Sequence, residues 1–417
     1  MDSDSTRSAP QPTWSHTVRL PARTALAAAL VIGLTGAAAA PALAVAHAPA
    51  TAAASAQRSA PDGKALRDAI KGLPNADATA ALVRVGGTDG TWRGSSGVHD
   101  LVTGRKADPH GRFRAGSTTK IVTAAVALQL AAEGELDLDK PVQHYMPGLL
   151  PEGKFEPMPV RSLLNYTSGL KSGDGFDDEY AHRYDTLDPR KVVASAIAKG
   201  PEHDPGYEQH YRNIGYTVLG LLIERVTGDS YAHQAAQRIF RPLHLRDTYF
   251  PGADPHIRGP HNRGYQSMKQ PDGTTRLVDV TEWNQSDRFA AGDMISSTAD
   301  LEVFTQALFD GEVVPQPQLK EMFTLPELAP GAPEPIFGAG LQRMEFKGKV
   351  IWLKTGARYG YTNMIASTEN GSRTLVYSVN ATDAKGTGMN PIAERIALGA
   401  YAYATPVMLA KTVMLLG

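Results

Sequence analysis

The chain has 417 residues, of which 42% are hydrophobic, so it can bury a large core and form more than one structural lobe. Its net charge of −1 gives no general electrostatic reason to bind nucleic acid or an anionic membrane. No cysteine is present, which excludes disulfides, cysteine-based zinc sites and thiol nucleophiles. Small molecules or peptides are therefore the expected partners.

The N-terminal segment has the pattern of a secretory signal peptide. Arg19 and Arg23 precede a long apolar stretch, which is followed by several alanine-x-alanine cleavage sites. We predict a signal peptide over residues 1–46, with cleavage near residues 44–48, and a disordered Ala/Ser-rich spacer over residues 47–60. The mature protein is then expected outside the cell and without a stable membrane span. A leader that stays uncleaved as an anchor is the alternative.

The first folded elements are predicted to be a short helix and a hairpin. Leu66 and Ile70 lie on one face of an amphipathic pattern that begins after Pro61. Two β-like runs, 80–85 and 91–98, flank Gly- and Asp-rich turn residues and predict two paired strands.

The residue pattern in the middle of the chain differs from the pattern at its two ends. Over residues 141–292, helix-length patterns alternate with loops rich in Pro, Gly and Asp, which predicts an inserted, mostly helical region. Its clearest element is an apolar helix over residues 213–226. Later strand patterns and a final helix are predicted at 337–344, 350–355, 361–367, 374–381 and 391–403. We therefore expect an α/β (α+β) protein in which regions 61–140 and 293–417 build one antiparallel sheet flanked by helices.

A serine and a lysine mark the start of the next predicted helix, 113–135. Ser117 precedes Lys120 by three positions, just ahead of an apolar run, so both side chains face the same side of the first turn. A lysine can take the proton of a serine hydroxyl if its surroundings favour the neutral amine. The start of a helix also favours negative charge near Ser117. Alone, this spacing also occurs by chance on surface helices.

Two further motifs follow in the chain. Tyr211-Arg-Asn213 lies directly before the apolar helix, so its tyrosine and asparagine can point into one cleft while Arg212 faces away. Lys354-Thr-Gly356 ends a predicted strand, which would place a cation, a hydroxyl and exposed backbone along a cleft wall. Tyr361-Thr-Asn363 repeats the Tyr-x-Asn spacing inside a predicted strand and is interpreted as a decoy.

In this order, Ser-x-x-Lys, Tyr-x-Asn and Lys-Thr-Gly resemble the three motifs of penicillin-recognising serine hydrolases, which comprise D,D-peptidases and β-lactamases. The Tyr-x-Asn form is similar to the class C β-lactamases and the Streptomyces-type D-alanyl-D-alanine carboxypeptidases. The resemblance extends over residues 61–403 and implies a β-lactamase/transpeptidase-like fold. Other segments similar to the family are Leu164-Asn-Tyr-Thr-Ser-Gly-Leu170, Gly215-Tyr-Thr-Val-Leu-Gly220 and Ile295-Ser-Ser-Thr-Ala-Asp300.

The resemblance implies a catalytic set. Ser117 would attack a carbonyl and form an acyl-enzyme, while Lys120 and Tyr211 would share the proton as a coupled acid–base pair. Asn213 would hold the substrate amide and orient Lys120.

The same resemblance implies a binding set and excludes a cofactor. Lys354 and Thr355 would bind the substrate carboxylate, and Gly356 would complete that motif. The backbone N–H groups of Ser117 and Ala357 would form the oxyanion site. No metal is implied, and the twelve histidines include no spaced metal-binding motif such as His-Glu-x-x-His.

Four positions depart from the carboxypeptidase pattern. Lys354 stands where those relatives often have histidine, and Ala357 stands where the Streptomyces-type enzyme has threonine. Gln342, with Arg343 beside it, replaces an arginine of the preceding strand. Recognition of a substrate carboxylate is therefore expected to be weaker or rearranged. Tyr166 replaces a family histidine and is expected to be structural.

These observations predict a secreted, monomeric serine D-alanyl-D-alanine carboxypeptidase of the penicillin-binding type that acts through an acyl-Ser117 intermediate. Its partners would be peptidoglycan stem peptides or β-lactams. A class C-like β-lactamase, a family esterase or D-amino-acid amidase, and a penicillin-binding sensor that does not turn over remain alternatives. The acidic run 177–179 is expected to be a solvated surface turn.

Overall fold

The computed structural model describes residues 60–401, with gaps at 271 and 347. The predicted signal peptide and nearly all of the predicted spacer lie outside the described residues, as does the chain after residue 401. The described strands, in chain order, are β1 Ala78–Gly86, β2 Trp92–Gly97, β3 Phe113–Arg114, β4 Tyr265–Lys269, β5 Thr275–Asp279, β6 Ile295–Ser296, β7 Gln342–Phe346, β8 Lys349–Arg358, β9 Tyr361–Thr368 and β10 Thr374–Ala381.

The helices of the described region lie mainly between the two groups of long strands. Short 3-10 turns at Gly116–Thr118, Ser286–Arg288 and Lys320–Phe323 and a π-helical turn at Ala236–Phe240 accompany them. The α-helices are α1 Gly63–Ile70, α2 Thr119–Ala132, α3 Val142–Tyr145, α4 Val160–Leu164, α5 Pro189–Ala198, α6 Ile214–Thr227, α7 Tyr231–Ala235, α8 Thr298–Phe309, α9 Gln316–Leu319 and α10 Pro391–Tyr401. Among the described helices, none combines the length and the apolar character needed to cross a bilayer.

One six-stranded antiparallel sheet joins both ends of the described chain, in the order β2-β1-β10-β9-β8-β7. The first hairpin pairs with the last strand, because β1 lies between β2 and β10. The predicted α/β fold with a sheet from both ends is thus confirmed. The exact limits of the inserted region, 141–292, remain a prediction.

Several local expectations differ from the structure, and the predicted strand 337–344 is β7, Gln342–Phe346. The strand that carries Lys354 does not end there but continues to Arg358, where a turn with Gly360 at φ 81° leads into β9. The predicted helical region also contains a two-stranded sheet of β4 and β5. Gly273, with φ 81°, forms the turn between those strands, and an Asp-Gly pair between alternating residues is the signal that indicates a hairpin.

The large sheet has a hydrophobic core on each face. Helices α1 and α10 cover one face, which includes Ile351 and Leu353 of β8. Helices α2, α6 and α8 belong to the larger core on the other face, which includes Trp352 of β8. Because strand side chains alternate between faces, Lys354 points to the same side as Trp352, towards α2. This alternation sets the position of the motif relative to Ser117.

Helix α2 is buried on nearly all sides because apolar residues occupy almost every position from Ile121 to Leu130. Leu128 is fully buried within it. A helix held in this way keeps the residues of its first turn at fixed positions relative to the sheet.

We predict that Leu128→Ala lowers the free energy of unfolding by about 3 kcal/mol, because it leaves a cavity beside the helix that carries Lys120. Urea unfolding followed by circular dichroism measures the loss. Leu277→Ala, at a position with 42% of its surface exposed, is the control and should change stability by less than about 0.5 kcal/mol. Equal losses in the two variants would contradict the packing described for α2.

Candidate active site

Ser117 lies in a 3-10 turn that immediately precedes α2, and not inside a helix that starts at Phe113 as predicted. Phe113–Arg114 instead forms β3, which pairs with β6. Gly116 has φ 50°, and a Cβ placed on it would lie 2.7 Å from the backbone nitrogen of Ala357. The missing side chain therefore allows the serine turn to lie directly against β8.

The amine of Lys120 is the centre of the site. Its Nζ lies 3.0 Å from Ser117 Oγ, 2.8 Å from Asn213 Oδ1 and 2.6 Å from the carbonyl oxygen of Ala291. The amide and backbone oxygens can only accept, so they take two N–H groups of the lysine. A neutral amine then has one lone pair left, and the remaining neighbour is the serine hydroxyl, which can donate to it.

The surroundings favour this neutral form. Burial, and after it the cations Lys354 and Arg288, hold the pKa of Lys120 well below its ordinary value, although Asp293 acts in the opposite direction. Lys120 is fully buried, so solvent does little to stabilise its ammonium form. The pair Ser117 and Lys120 can therefore act as a nucleophile and its base.

Tyr211 and Asn213 reach the site from the segment before α6. The Tyr211 hydroxyl is buried close to the Ser117 hydroxyl, but the two do not have the geometry of a hydrogen bond. Burial raises the pKa of Tyr211, and the nearby Ser117 hydroxyl offsets only part of that rise. The ring lies 5.1 Å from Lys120 Nζ and 4.8 Å from Lys354 Nζ, measured to its centroid. The phenol is thus neutral and in contact with two amines.

Strand β8 supplies the opposite wall. Its partner β7 pairs only as far as Leu353, so one edge of residues 354–358 has no neighbouring strand among the residues that the structure describes. Lys354 is buried, its Nζ donates to the carbonyl oxygen of Thr355 at 2.9 Å, and burial lowers its pKa to about 7. Backbone groups on a free edge of this kind can bind an extended peptide.

The register of β8 and β9 directs one backbone N–H of β8 into the cleft. Arg358 and Tyr361 close the hairpin as directly opposed residues, and Gly356 lies opposite Asn363. Hydrogen-bonded and non-hydrogen-bonded pairs alternate in an antiparallel ladder. The N–H of Ala357 therefore points away from β9, towards the serine turn, where the oxyanion site was expected.

Asn363 is a site residue that the sequence interpretation missed. It donates from Nδ2 to the carbonyl oxygens of Ala115 and Arg114 at 3.1 and 3.3 Å, and its Oδ1 accepts from Thr118 Oγ1 at 2.7 Å. It can reach the serine turn because Gly356 lies opposite it, and a Cβ on that glycine would lie 1.9 Å from the carbonyl oxygen of Ala115. The supposed decoy motif thus holds the nucleophile in place. The signal that could have identified Asn363 as a site residue is its position opposite Gly356 of the Lys-Thr-Gly motif.

The motifs line a pocket that is open to solvent and has a volume of about 970 Å³. Beyond Ser117 it reaches Arg288 and Lys385. Arg288 forms an ion pair with Glu179 at 2.5 Å, so one residue of the predicted solvated acidic run is a half-buried partner of a residue that lines the pocket. Lys385 remains exposed to solvent and belongs to no ion pair in the described structure, while partial desolvation and the nearby Arg358 and Arg288 lower its pKa.

Two of the departures from the carboxypeptidase pattern can be located. Gln342 and Arg343 lie on β7 and are not among the residues that line the pocket, and Arg343 lies 3.8 Å from Glu345. Tyr166, with φ 64°, is buried and packs on Tyr211 with ring centroids 4.8 Å apart. Tyr166 therefore supports the middle motif by packing.

The family assignment rests on more than the three motifs. The Beta-lactamase family model matches residues 66–398, most of the chain. The chain therefore belongs to the Beta-lactamase family, which defines it as a serine hydrolase of the β-lactamase and penicillin-binding superfamily.

Three of the similar proteins are 27 to 30% identical to this chain. A D-stereospecific amidohydrolase from Streptomyces sp. is 30% identical, with a TM-score of 0.70 over 83% of this chain and 100% of the other. A D-amino acid amidase from Ochrobactrum anthropi SV3 is 27% identical, with a TM-score of 0.65 over 81% and 98%. The putative penicillin-binding protein PbpX of Bacillus subtilis is 28% identical over 52% of this chain. The matched segments span 40% to 51% of the curated relatives.

We predict that Ser117 acylation accelerates as pH rises through the pKa of Lys120, because only the neutral amine accepts a proton. The midpoint should lie well below the ordinary lysine pKa of about 10.4. Lys120→Arg, which stays charged, should slow acylation by about 10²–10⁴-fold at every pH. Stopped-flow acylation by a chromogenic ester measures the profile, and an unchanged profile in Lys120→Arg would contradict the assignment.

We also predict that Asn363→Ala slows acylation by about 10- to 100-fold, because the serine turn loses the bonds that fix it against β8. The matched control is Asn380→Ala, a buried asparagine of the same sheet that donates to the carbonyl oxygens of Asn262 and Arg263 instead. Both variants should lose similar stability, but only Asn363→Ala should lose kcat beyond that loss. Equal kcat values in the two variants would argue against a positioning role.

Proposed function

We propose that this protein is a secreted serine D-alanyl-D-alanine carboxypeptidase that removes the terminal D-alanine of cell-wall peptides through an acyl-Ser117 intermediate. The observation that carries the proposal is the Lys120 amine, which has two N–H groups bound by carbonyl oxygens and its third contact at the Ser117 hydroxyl. Such an amine is arranged to accept a proton, which is what an acylating serine requires.

In acylation, Ser117 Oγ forms a bond to the peptide carbonyl carbon and passes its proton to Lys120. The backbone N–H groups of Ser117 and Ala357 stabilise the oxyanion that forms. When the carbon–nitrogen bond breaks, the proton moves to the leaving amine of D-alanine. Because burial disfavours a tyrosinate, Tyr211 carries out this transfer as a neutral hydroxyl between Lys120 and the leaving group. Water then attacks the ester, and the freed serine takes back a proton.

The substrate is bound by cationic side chains of β8 and of other segments that line the pocket. Lys354 and the Thr355 hydroxyl meet the carboxylate of the leaving residue. Asn213 Oδ1 is bonded to Lys120, so its Nδ2 donates to the carbonyl oxygen of the substrate amide. Ala357 lacks the hydroxyl that the Streptomyces-type enzyme has at this position. Lys385, which also lines the pocket and belongs to no ion pair in the described structure, supplies positive charge in its place.

The second candidate is a hydrolase of D-amino-acid amides. Its support is the similarity to a D-stereospecific amidohydrolase and a D-amino acid amidase, whose chains are covered to 100% and 98%. Both candidates cleave an amide through the same serine. They differ in the leaving group, which is an amino acid carboxylate in one case and ammonia in the other.

The test combines intact mass with product analysis for wild type and Ser117→Ala. The substrates are a penicillin, a diacyl-Lys-D-Ala-D-Ala peptide, D-phenylalanine amide and a simple ester. We expect a long-lived penicillin adduct and release of D-alanine, both lost in Ser117→Ala. Hydrolysis of the D-amino-acid amide without D-alanine release favours the second candidate. Rapid penicillin loss without an adduct would indicate a β-lactamase, an adduct without any turnover would indicate a sensor, and cleavage of simple esters alone would indicate an esterase.

We predict that Lys385→Ala raises KM for the D-Ala-D-Ala peptide by about 5- to 10-fold with little change in kcat, because the carboxylate loses one charged partner. Hydrolysis of a neutral D-amino-acid amide should stay the same. Lys349→Ala, an exposed lysine at the start of β8 outside the pocket, is the control for net charge. If Lys385→Ala changes KM for both substrates equally, Lys385 does not select a carboxylate.

A further inference from the structure

A second group of chemically active side chains lies next to the middle motif, on the loop that leads into Tyr211. Glu202, His203 and His210 each offer one ligand atom, and these three atoms all lie within 4.8 Å of one another. The two imidazole rings are perpendicular, at 86°, with centroids 5.4 Å apart. None of these residues lines the pocket around Ser117.

The two histidines differ in what surrounds their ring nitrogens. His203 Nδ1 lies 2.8 Å from the carbonyl oxygen of Asp204, which can only accept, so His203 carries its proton on Nδ1 and presents a lone pair on Nε2. His210 has a carboxylate near each nitrogen, Glu208 at 3.3 Å from Nε2 and Glu202 at 3.2 Å from Nδ1, and neither contact has the angle of a hydrogen bond. With its proton on Nε2, His210 presents a lone pair on Nδ1 towards the cluster.

These two nitrogens are buried atoms without a hydrogen-bond partner in the described structure. His210 Nδ1 lies 3.2 Å from Glu202 Oε2, without the angle of a hydrogen bond. In the tautomer with the His210 proton on Nε2, two imidazole lone pairs and a carboxylate oxygen face one another, and a cation between them offsets their repulsion. An imidazole whose other nitrogen donates to a carbonyl or carboxylate is also the arrangement that orients histidine ligands in metal sites.

From this geometry we propose that Glu202, His203 and His210 bind one zinc ion. Two imidazole nitrogens and one carboxylate oxygen are ligands that zinc prefers, with water in the fourth position. Arg212 is the competing cation, because its Nη2 donates to both oxygens of Glu202 at 2.8 and 2.7 Å. Arg212 Nε also donates to Oε2 at 3.1 Å, so both lone pairs of Oε2 are engaged. Oε1 keeps a second lone pair, with which Glu202 can bind zinc while it stays bonded to Arg212.

The site would act on the loop before the middle motif. Backbone bonds join Glu202 to Gly169 and His210 to Tyr166, and Tyr166 packs on Tyr211. Zinc would tie residues 202 and 210 together and so restrict the segment that ends at Tyr211. It would not contact Ser117 or Lys120, so zinc here is structural and not part of the acyl transfer. The inference goes beyond the proposed function and does not depend on it.

Zinc titration of the full chain without a histidine tag tests the site by calorimetry, with metal content measured after dialysis. We expect one zinc per chain and a rise in Tm of about 5 °C at saturating zinc. His203→Ala and His210→Ala should each lose at least tenfold in affinity and most of the rise in Tm. The control His233→Ala removes an exposed histidine whose one carboxylate contact in the described structure is Asp229. This variant should bind zinc as the wild type does.

X-ray absorption at the zinc edge of the wild-type protein gives an answer that does not depend on how the variants fold. The proposal expects two imidazole nitrogens at about 2.0 Å together with oxygen ligands. An all-oxygen shell, one imidazole only, or the absence of zinc binding at millimolar concentration would overturn it. Zinc binding that survives in a folded His203→Ala/His210→Ala double variant would overturn it as well.

Discussion

The burial of one lysine amine governs how the rest of this site is built. An ammonium group at the position of Lys120 would need compensating anions, but its direct neighbours are a hydroxyl, an amide oxygen and a carbonyl oxygen. Additional cations around it increase the cost of charge. The protein therefore holds a neutral base in contact with a serine, and the free energy needed for that comes from the apolar packing around α2.

Three segments far apart in the chain must meet for this to happen, and two glycines make the contact possible. Because Gly116 has no side chain, the serine turn can approach the backbone of Ala357. Because Gly356 has none, β8 can approach the carbonyl oxygen of Ala115 in the segment that leads into the turn. A methyl group at either position would push β8 and the turn apart. The same closeness brings an N–H of β8 towards Ser117 and allows Asn363 to bond across the gap. Nucleophile, base and oxyanion donors are thus positioned by one backbone contact.

Much of the fold could be predicted from the sequence because its elements have strong local patterns. The two-residue period of the strands and the apolar run of α6 identified the sheet and the helix after Asn213. Non-local contacts could not be read in this way. Phe113 and Arg114 continue a helical pattern, yet they pair with Ile295 and Ser296, far away in sequence. Asn363 has a role only because Gly356 lies opposite it in the sheet. The imidazoles of His203 and His210 lie seven residues apart on a loop and match no short metal motif.

The protonation state of Lys120 is the property on which the account depends most directly. Titration of the lysine side-chain signals by NMR, with Lys120 assigned by comparison with Lys120→Arg, measures it without a substrate. The account predicts that this amine loses its proton well below the pH range of the exposed lysines, and that it is neutral at the pH of maximal acylation. A Lys120 amine that stays protonated up to the ordinary lysine pKa of about 10.4 while Ser117 is still acylated at neutral pH would contradict it.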